Sequence, residues 1–185
     1  GGEKYITADI ARLGDDKTII VVWDGFRAIH ITKIDKSGLN EVISAIKNLQ
    51  DKYSVPNQHT ICDEDGVGGG VVDALGCKGF VNNSRPLPEQ GEVKNYANLR
   101  SQCYFKLSQM VNQNLVYLHN LDGQVKDLIA EELEQIKQKD IDKDGKLAII
   151  GKEVIKQNIG RSPDYSDAIM MRMWFLFAPK RRQTW

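Results

Sequence analysis

The chain of 185 residues has the length of one domain, because most domains contain ~100–200 residues. Lysine and arginine together number 25, as do aspartate and glutamate, so the net charge of zero excludes a strongly basic protein that binds nucleic acid nonspecifically. Three cysteines without Cys-x-x-Cys spacing argue against a disulfide framework and a zinc site, and no apolar run reaches the ~18–20 residues of a membrane span.

The first third of the chain predicts an antiparallel meander of three strands. Residues 5–10 (YITADI) and 17–23 (KTIIVVW) are rich in β-forming residues, and LGDD supplies turn chemistry between them. Residues 26–34 (FRAIHITKI) form the third strand after a turn at Asp24-Gly25.

The pattern then alternates between helices and strands. Apolar residues at helical spacing over 39–49 predict a helix. HTICD (59–63) and KGFVN (78–82) are short strands, separated by a glycine-rich turn and a short helix over 68–75. This succession predicts parallel strands added to the meander, in a mixed sheet of order 3-2-1-4-5.

The second half predicts helices, a short strand and a hairpin. Polar residues 83–95 contain two prolines and predict a loop. The elements expected after this loop are a helix at 96–113, a strand at 115–118, a helix at 125–138, a hairpin turn at 142–145 and a last helix from Pro163 to Phe177. We expect a single domain over 1–185, with residues 179–185 as a flexible tail.

Acidic residues at three separate places in the chain are candidates for a functional site. Asp9 lies inside an apolar strand, Asp63 ends another strand, and Asp164 and Asp167 share one face of the last helix. Each alone has an ordinary explanation, either a strand position facing solvent or a helix cap. In the predicted sheet, strands 1 and 4 are neighbours, so Asp9 and Asp63 become adjacent and the last helix can bring Asp167 to them. Such an oxygen-rich cluster suits Mg²⁺ or Mn²⁺.

Three motifs carry a resemblance to a known family. They are ADIARLGDDKTIIVVW (8–23), ICDEDGVGGGVVDAL (61–75) and GRSPDYSDAIMMRMW (160–174). With these motifs in this order, nearly the whole chain resembles the C-terminal nuclease domain of the large terminase subunit of tailed double-stranded DNA bacteriophages. The resemblance implies an RNase H-like α/β fold, in which the mixed five-stranded sheet is flanked by helices and an added β-hairpin.

The resemblance also implies an activity and its residues. The activity is metal-dependent endonuclease cleavage of concatemeric genomic DNA by two-metal hydrolysis, with two Mg²⁺ or Mn²⁺ ions. The catalytic and metal-binding acids would be Asp9, which bridges both ions, and Asp63 and Asp167, with Asp164 as a second-rank ligand. Asp63 is chosen over Asp65 because the family motif Asp-x-x-Gly-x-Gly then falls on Asp63 and on the structural turn residues Gly66 and Gly68.

Further expectations follow from the same resemblance. Asp16 either supports the hairpin turn or assists with metal. The implied partners are double-stranded DNA, the terminase ATPase domain, the small terminase subunit and the portal, in the cytoplasm of the host cell. Because the chain has no Gly-x-x-x-x-Gly-Lys-Ser/Thr motif, we expect it not to hydrolyse ATP.

Several alternatives remain beside this interpretation. An actin-like or sugar-kinase-type ATPase half-domain also uses an early acidic hairpin and a later Asp-Gly-x-Gly turn, and another RNase H-like nuclease, such as a resolvase, would share the chemistry. A binding module that holds DNA without cutting it is a third possibility. The glycines after residue 65 do not fit a dinucleotide-binding fingerprint, and residues 140–151 lack the final glutamate of a calcium loop.

Contacts with DNA require positive charge near the acids. The main candidates among basic residues are Lys152, Lys156, Arg161, Arg100 and Arg85, with Lys146, Lys94, Lys106, Lys180, Arg181 and Arg182 as additional ones. The three histidines, His30, His59 and His119, are expected to be structural.

Overall fold

A mixed sheet of six strands lies at the centre of the molecule. The computed structural model describes residues 1–11, 17–36, 38–91, 94–140 and 145–178. The strands are β1 (Lys4–Asp9), β2 (Lys17–Asp24), β3 (Arg27–Asp35), β4 (Thr60–Asp63), β5 (Lys78–Phe80) and β6 (Tyr117–Leu118). Their order across the sheet is β5-β4-β1-β2-β3-β6. The predicted order 3-2-1-4-5 is therefore confirmed, and the short segment predicted at 115–118 adds a sixth strand beside β3.

The strand directions follow from the lengths of the connections. β1, β2 and β3 pair antiparallel. The β2–β3 turn is tight, and Gly25 adopts a φ of +60° there, a conformation that costs glycine little. β4 pairs in parallel with β1 and with β5. Parallel pairing needs a long crossover, which helices supply in each case.

Helices cover both faces of the sheet. In chain order the helices of the described residues are α1 (Leu39–Tyr53), α2 (Gly68–Leu75), α3 (Leu99–Asn112), α4 (Gly123–Gln135), α5 (Lys152–Ile159), α6 (Asp164–Met170) and α7 (Trp174–Phe177). A 3₁₀ turn at Met171–Met173 joins α6 to α7, so the predicted last helix is present with an interruption. Helix α5 was not predicted, because a single buried apolar residue, Ile155, gives it too little periodicity to be recognised.

Alternate residues of the central strands build two separate cores. On one face, Ile19, Val21 and Trp23 of β2 pack with apolar residues of α3, α4 and α6. On the other face, Ile20 and Val22 pack with α1 and α2. Because β1 and β2 are covered on both sides, an acid at the end of β1 lies between layers and away from bulk water.

A hairpin-like ladder precedes α5. The amide of Lys139 donates to the carbonyl of Ala148 at 2.8 Å, and the amide of Ile150 donates to the carbonyl of Lys137 at 3.0 Å. These bonds form the two arms of the predicted added hairpin. Of the turn predicted at 142–145, residues 142–144 lie outside the described residues.

Other predictions also fall outside the described part of the chain. These are the role of Asp16, the tail at 179–185 and the basic residues Lys180, Arg181 and Arg182. Within the described residues, no helix combines the length and apolar character needed to cross a membrane.

Candidate active site

Three acids from separate segments meet at one end of the sheet. Asp9 ends β1, Asp63 ends β4, and Asp167 lies in α6. The parallel ladder pairs Ala8 with Cys62, so Asp9 and Asp63 follow side by side. Helix α6 is fixed across β1, where the hydroxyl of Thr7 donates to the carbonyl of Ala168 at 2.6 Å. The structure thus brings together the three acids that the sequence nominates.

The side chain of Lys152 reaches into this acidic cluster from the first turn of α5. Its ammonium lies 2.8 Å from Oδ2 of Asp167 and 3.7 Å from Oδ1 of Asp9. Burial disfavours the charged ammonium, but the nearby carboxylates of Asp167 and Asp9 outweigh burial and raise the pKa of Lys152. Lys152 was predicted to contact DNA phosphates, but here it is engaged in ion pairs with the acids.

Asp9 is the acid most strongly affected by its surroundings. Burial raises its pKa well above the ordinary value, and the charges of Asp167, Asp63 and Asp164 raise it further, against the opposing effect of Lys152. Oδ1 of Asp9 and Oδ2 of Asp167 are buried and accept no hydrogen bond. Both oxygens face the Lys152 ammonium, so a divalent cation would reach them by displacing that ammonium.

Asp63 is held by the turn that follows β4. Its Oδ1 accepts the amide N–H of Asp65 at 3.0 Å and lies 3.5 Å from Nδ2 of Asn82. The carboxylate of Asp65 instead accepts from the amide nitrogen of the Asn82 side chain at 2.8 Å. Asp63 therefore faces the cluster, whereas Asp65 links the turn to the segment after β5. Burial, as the main effect, raises the pKa of Asp63.

Glycines allow this turn to pass close to Asp63. Gly66 has a φ of +69°, in the left-handed region. A Cβ atom on Gly68 would lie 1.8 Å from the carbonyl oxygen of Asp63. Only glycine at position 68 therefore lets α2 begin directly against the end of β4.

Asp167 has its own set of partners on α3. The hydroxyl of Tyr104 donates to Oδ1 of Asp167 at 2.5 Å, and Nη2 of Arg100 lies 3.5 Å from the same oxygen. Burial opposes ionisation, but Lys152 and Arg100 together hold the pKa of Asp167 below its usual value. Sequence reasoning missed Tyr104, although a polar pair at i and i+4 on the apolar face of α3 was a readable signal.

The N-terminus of α6 receives two further supports. Oδ2 of Asp164 accepts the amide N–H of Lys17 at 3.2 Å, which ties α6 to β2. The amide of Ser166 donates to Oε2 of the fully buried Glu132 at 2.7 Å. Arg161 pairs with Glu132 and with Glu131. Glu132 satisfies one of the free amides at the start of a helix that lacks a side-chain cap of its own.

As it stands, the cluster is filled by the ammonium of Lys152. Among the described residues, no three acid, histidine or cysteine side chains are arranged to hold a metal ion together. The donor set nevertheless fits a hard cation, because buried carboxylate oxygens are what Mg²⁺ and Mn²⁺ prefer. A divalent cation that bound Oδ1 of Asp9 and Oδ2 of Asp167 would take the place of the Lys152 ammonium.

Comparison with solved structures shows which known proteins share the fold of this chain. No protein-family model matches the chain, and no curated protein matches it. The nuclease domain of the large terminase subunit gp2 of bacterial virus Sf6 superposes with a TM-score of 0.82 at 20% identity, over 97% of this chain and 90% of that one. The large terminase nuclease domain of Thermus phage P74-26 superposes with a TM-score of 0.61 at 14% identity, covering 99% and 84% of the two chains. The chain has the fold of a large terminase nuclease domain.

Solved structures of this terminase nuclease fold include complexes with metal. The Sf6 domain has been solved, as a variant, with manganese. The domain from thermophilic phage G20c has been solved with magnesium, where the TM-score is 0.60 at 16% identity, over 92% of this chain and 80% of that one. The predicted RNase H-like fold class is confirmed by the mixed sheet flanked by helices and by the superposition on the terminase nuclease domains.

The remaining basic residues occupy different positions on this terminase nuclease fold. Arg100 is buried, with its Nη1 donating to the carbonyl of Ile150, and its predicted contact with a phosphate stays a prediction. Arg85 and Lys156 are exposed. Lys156 and Arg161 line, with Lys17 and Ser162, a cavity of about 110 Å³ beside Asp164.

Two of the histidines make contacts within the fold. The ring of His30 hydrogen-bonds with the hydroxyl of Thr32 at 3.0 Å. The ring of His59 hydrogen-bonds with the carbonyl of Lys4 and stacks on Tyr5, with 4.7 Å between ring centroids. His119 is exposed, beyond β6. The structural role expected for the histidines stays a prediction.

Proposed function

We propose that this domain is a metal-dependent endodeoxyribonuclease that cuts concatemeric phage DNA during packaging. One observation carries the proposal. Carboxylates from β1, β4 and α6 converge on a buried point where Oδ1 of Asp9 and Oδ2 of Asp167 accept no hydrogen bond and face only an ammonium. One ammonium among several buried carboxylates leaves an excess of negative charge, which is costly away from water, and a bound divalent cation would offset that excess. The likeness to terminase nuclease domains supports the same chemistry.

The residues that would hold divalent ions are Asp9, Asp63 and Asp167, with Asp164 in second rank. We propose that the site would hold two ions, to which Asp9 would contribute in common, while Asp63 and Asp167 would each contribute to one. When bound, divalent ions supply an activated water and stabilise the departing 3′ oxygen of a phosphodiester. Asp9 must release any proton it holds before it can act as a ligand.

Lys152 has a defined part in this scheme. Its ammonium balances the acids while no divalent ion is bound, which limits repulsion among several buried carboxylates. It must withdraw from Asp167 when a divalent ion binds there. One-third of its side chain is exposed, so Lys152 has a path into solvent, at the cost of its ion pairs with Asp167 and Asp9. We propose that the displaced ammonium then contacts the DNA strand, as the sequence predicts for Lys152.

The cellular role extends this proposal. The substrate is double-stranded DNA, and cutting takes place in the cytoplasm of the host cell. The domain acts as part of a large terminase subunit whose ATPase domain drives packaging, together with the small terminase subunit and the portal. This domain contributes cleavage and no ATP hydrolysis.

The experiment that tests the proposal is plasmid cleavage in Mn²⁺ by the Asp9→Asn variant. Because Asp9 is proposed to be shared between both ions, we expect cleavage to fall by at least ~10³-fold, as for the loss of a principal metal ligand. Asp73→Asn, at an exposed position on α2, serves as the matched control and should cleave like the wild type. Circular dichroism checks that both variants are folded. Undiminished cleavage by Asp9→Asn would rule out the proposed site.

A further inference from the structure

Asp167 has different partners on its two carboxylate oxygens. Oδ1 accepts the hydroxyl of Tyr104 at 2.5 Å and lies 3.5 Å from Nη2 of Arg100. Oδ2 accepts no hydrogen bond and lies 2.8 Å from the ammonium of Lys152. One oxygen is therefore occupied by α3, while the other faces the centre of the acidic cluster.

The direction of the Tyr104 hydrogen bond is fixed by chemistry. An ionised carboxylate can only accept, so the phenol donates to it. Tyr104 is buried, and its hydroxyl lies 2.5 Å from Oδ1 of Asp167, a hydrogen bond that is shielded from bulk water. The hydroxyl of Ser166 lies 3.0 Å from the same phenol oxygen and is itself 3.2 Å from the carbonyl of Pro163, to which it can donate.

Arg100 supports Tyr104 and joins it to the segment that leads to Lys152. Its guanidinium lies over the Tyr104 ring, 4.8 Å from the centroid. Its Nη1 donates to the carbonyl of Ile150 at 3.0 Å, two residues before Lys152. Arg100 and Tyr104 are one helical turn apart on α3, so a single rigid element holds both Asp167 and the start of α5.

We propose that Tyr104 is a positioning residue that reserves Oδ2 of Asp167 for the cation. With Oδ1 held by the phenol, Asp167 binds a divalent ion through one oxygen only. Single-oxygen ligation suits the strict octahedral geometry of Mg²⁺ and, by its similar ligand preference, Mn²⁺, whereas Ca²⁺ readily takes both oxygens of a carboxylate. Tyr104 thereby favours Mn²⁺ over Ca²⁺ at this site. This inference rests on the proposed metal-dependent function.

The test is the affinity of the DNA-free protein for Mn²⁺ and for Ca²⁺, measured by calorimetry. In Tyr104→Phe the ring remains but Oδ1 is released, so we expect the preference for Mn²⁺ over Ca²⁺ to fall by about tenfold or more, the scale of outer-shell changes at metal sites. Tyr165→Phe, a neighbouring buried tyrosine on α6, is the matched control and should keep the wild-type preference. A loss of packing alone would lower the melting temperature without changing the ratio of the two affinities.

The outcomes separate this inference from the function on which it rests. If the wild type binds Mn²⁺, Asp167→Asn abolishes that binding, and Tyr104→Phe leaves the ratio unchanged, the role of Tyr104 is overturned and the proposed function stands. If the wild type binds neither Mn²⁺ nor Ca²⁺, both the role of Tyr104 and the proposed metal-dependent function are overturned. Should Tyr104→Phe fail to fold, a structure of the wild type with Mn²⁺ decides. Coordination through Oδ2 alone, with Tyr104 still on Oδ1, supports the inference, and coordination through both oxygens overturns it.

Discussion

The balance of charge around Asp9 and Asp167 determines how readily the acidic cluster binds a divalent cation. Four acids lie near one another, since the charges of Asp167, Asp63 and Asp164 all act on Asp9. Lys152 and Arg100 supply the opposing positive charges. An ammonium in direct contact with two of the acids competes with any divalent ion for the same oxygens.

Removal of this ammonium should therefore strengthen cation binding. In Lys152→Met we expect the affinity of the DNA-free protein for Mn²⁺ to rise by at least about tenfold, because one opposite charge at ~4–6 Å changes carboxylate equilibria by 1–3 pKa units. Lys156→Met, one turn further along α5 and exposed, is the control. Calorimetric titration measures both variants. Equal or weaker Mn²⁺ binding by Lys152→Met contradicts the competition described here.

From the sequence, the meeting of the acids could be predicted where the chain itself restricts the options, whereas their role as metal ligands stays a prediction. A carboxylate at the end of an apolar strand is costly unless it has a partner, and this made Asp9 and Asp63 recognisable. Lys152 and Arg100 were recognised only as basic residues, and their positions next to the acids could not be foreseen. Those positions depend on how α3 and α5 pack, which is decided by long-range contacts.

At the scale of elements, the join between β4 and α2 is the tightest point of the site. The absence of a side chain at position 68 lets the helix start against the carbonyl of Asp63. Gly69, the next residue, has room for a Cβ, since the nearest atom would be the carbonyl oxygen of Glu64 at 3.6 Å. Two adjacent glycines in one helix thus have different structural requirements.

This difference gives a matched pair of substitutions. Gly68→Ala should lower the free energy of unfolding by about 1–3 kcal/mol or more, since backbone must shift to admit the methyl group. Gly69→Ala should raise it by roughly 0.5–1 kcal/mol, the helix preference for alanine over glycine. Urea unfolding measures both. The account of this join is wrong if Gly68→Ala is as stable as the wild type.

The elements themselves were predictable to different degrees. Strands β1 to β5 and helices α1, α3 and α4 have apolar residues at the period of their structure, because each buries one or two faces. Helix α5 buries only Ile155, and the two-residue strand β6 is defined mainly by its pairing with β3. Packing against neighbouring elements stabilises α5 and β6, so their own residues show little of the apolar periodicity that would predict them.

At the scale of the whole molecule, zero net charge conceals an uneven distribution. Residues 122–144 contain eight acids and four bases, while Lys17, Lys156 and Arg161 line a cavity beside Asp164 in which Arg161 is paired with Glu132. A balanced total predicts weak binding to DNA by this domain alone, with contacts restricted to a few phosphates near the site.

The salt dependence of DNA binding tests this distribution. Each phosphate contact contributes about 0.9 to the slope of log affinity against log salt, so Lys156→Gln should reduce the slope by roughly one contact. Lys47→Gln, on the exposed face of α1, should leave it unchanged. Fluorescence anisotropy with a short duplex in EDTA measures binding without cleavage. Identical slopes for both variants would place the DNA on another surface.

The most direct measurement of the central claim is a crystal of the wild-type protein soaked in Mn²⁺. We expect anomalous density between Asp9, Asp63 and Asp167, at ~2.0–2.2 Å from their oxygens, with the Lys152 ammonium withdrawn from Asp167. If a crystal at saturating Mn²⁺ shows no anomalous density there and Lys152 still contacts Asp167, these acids are not a metal site.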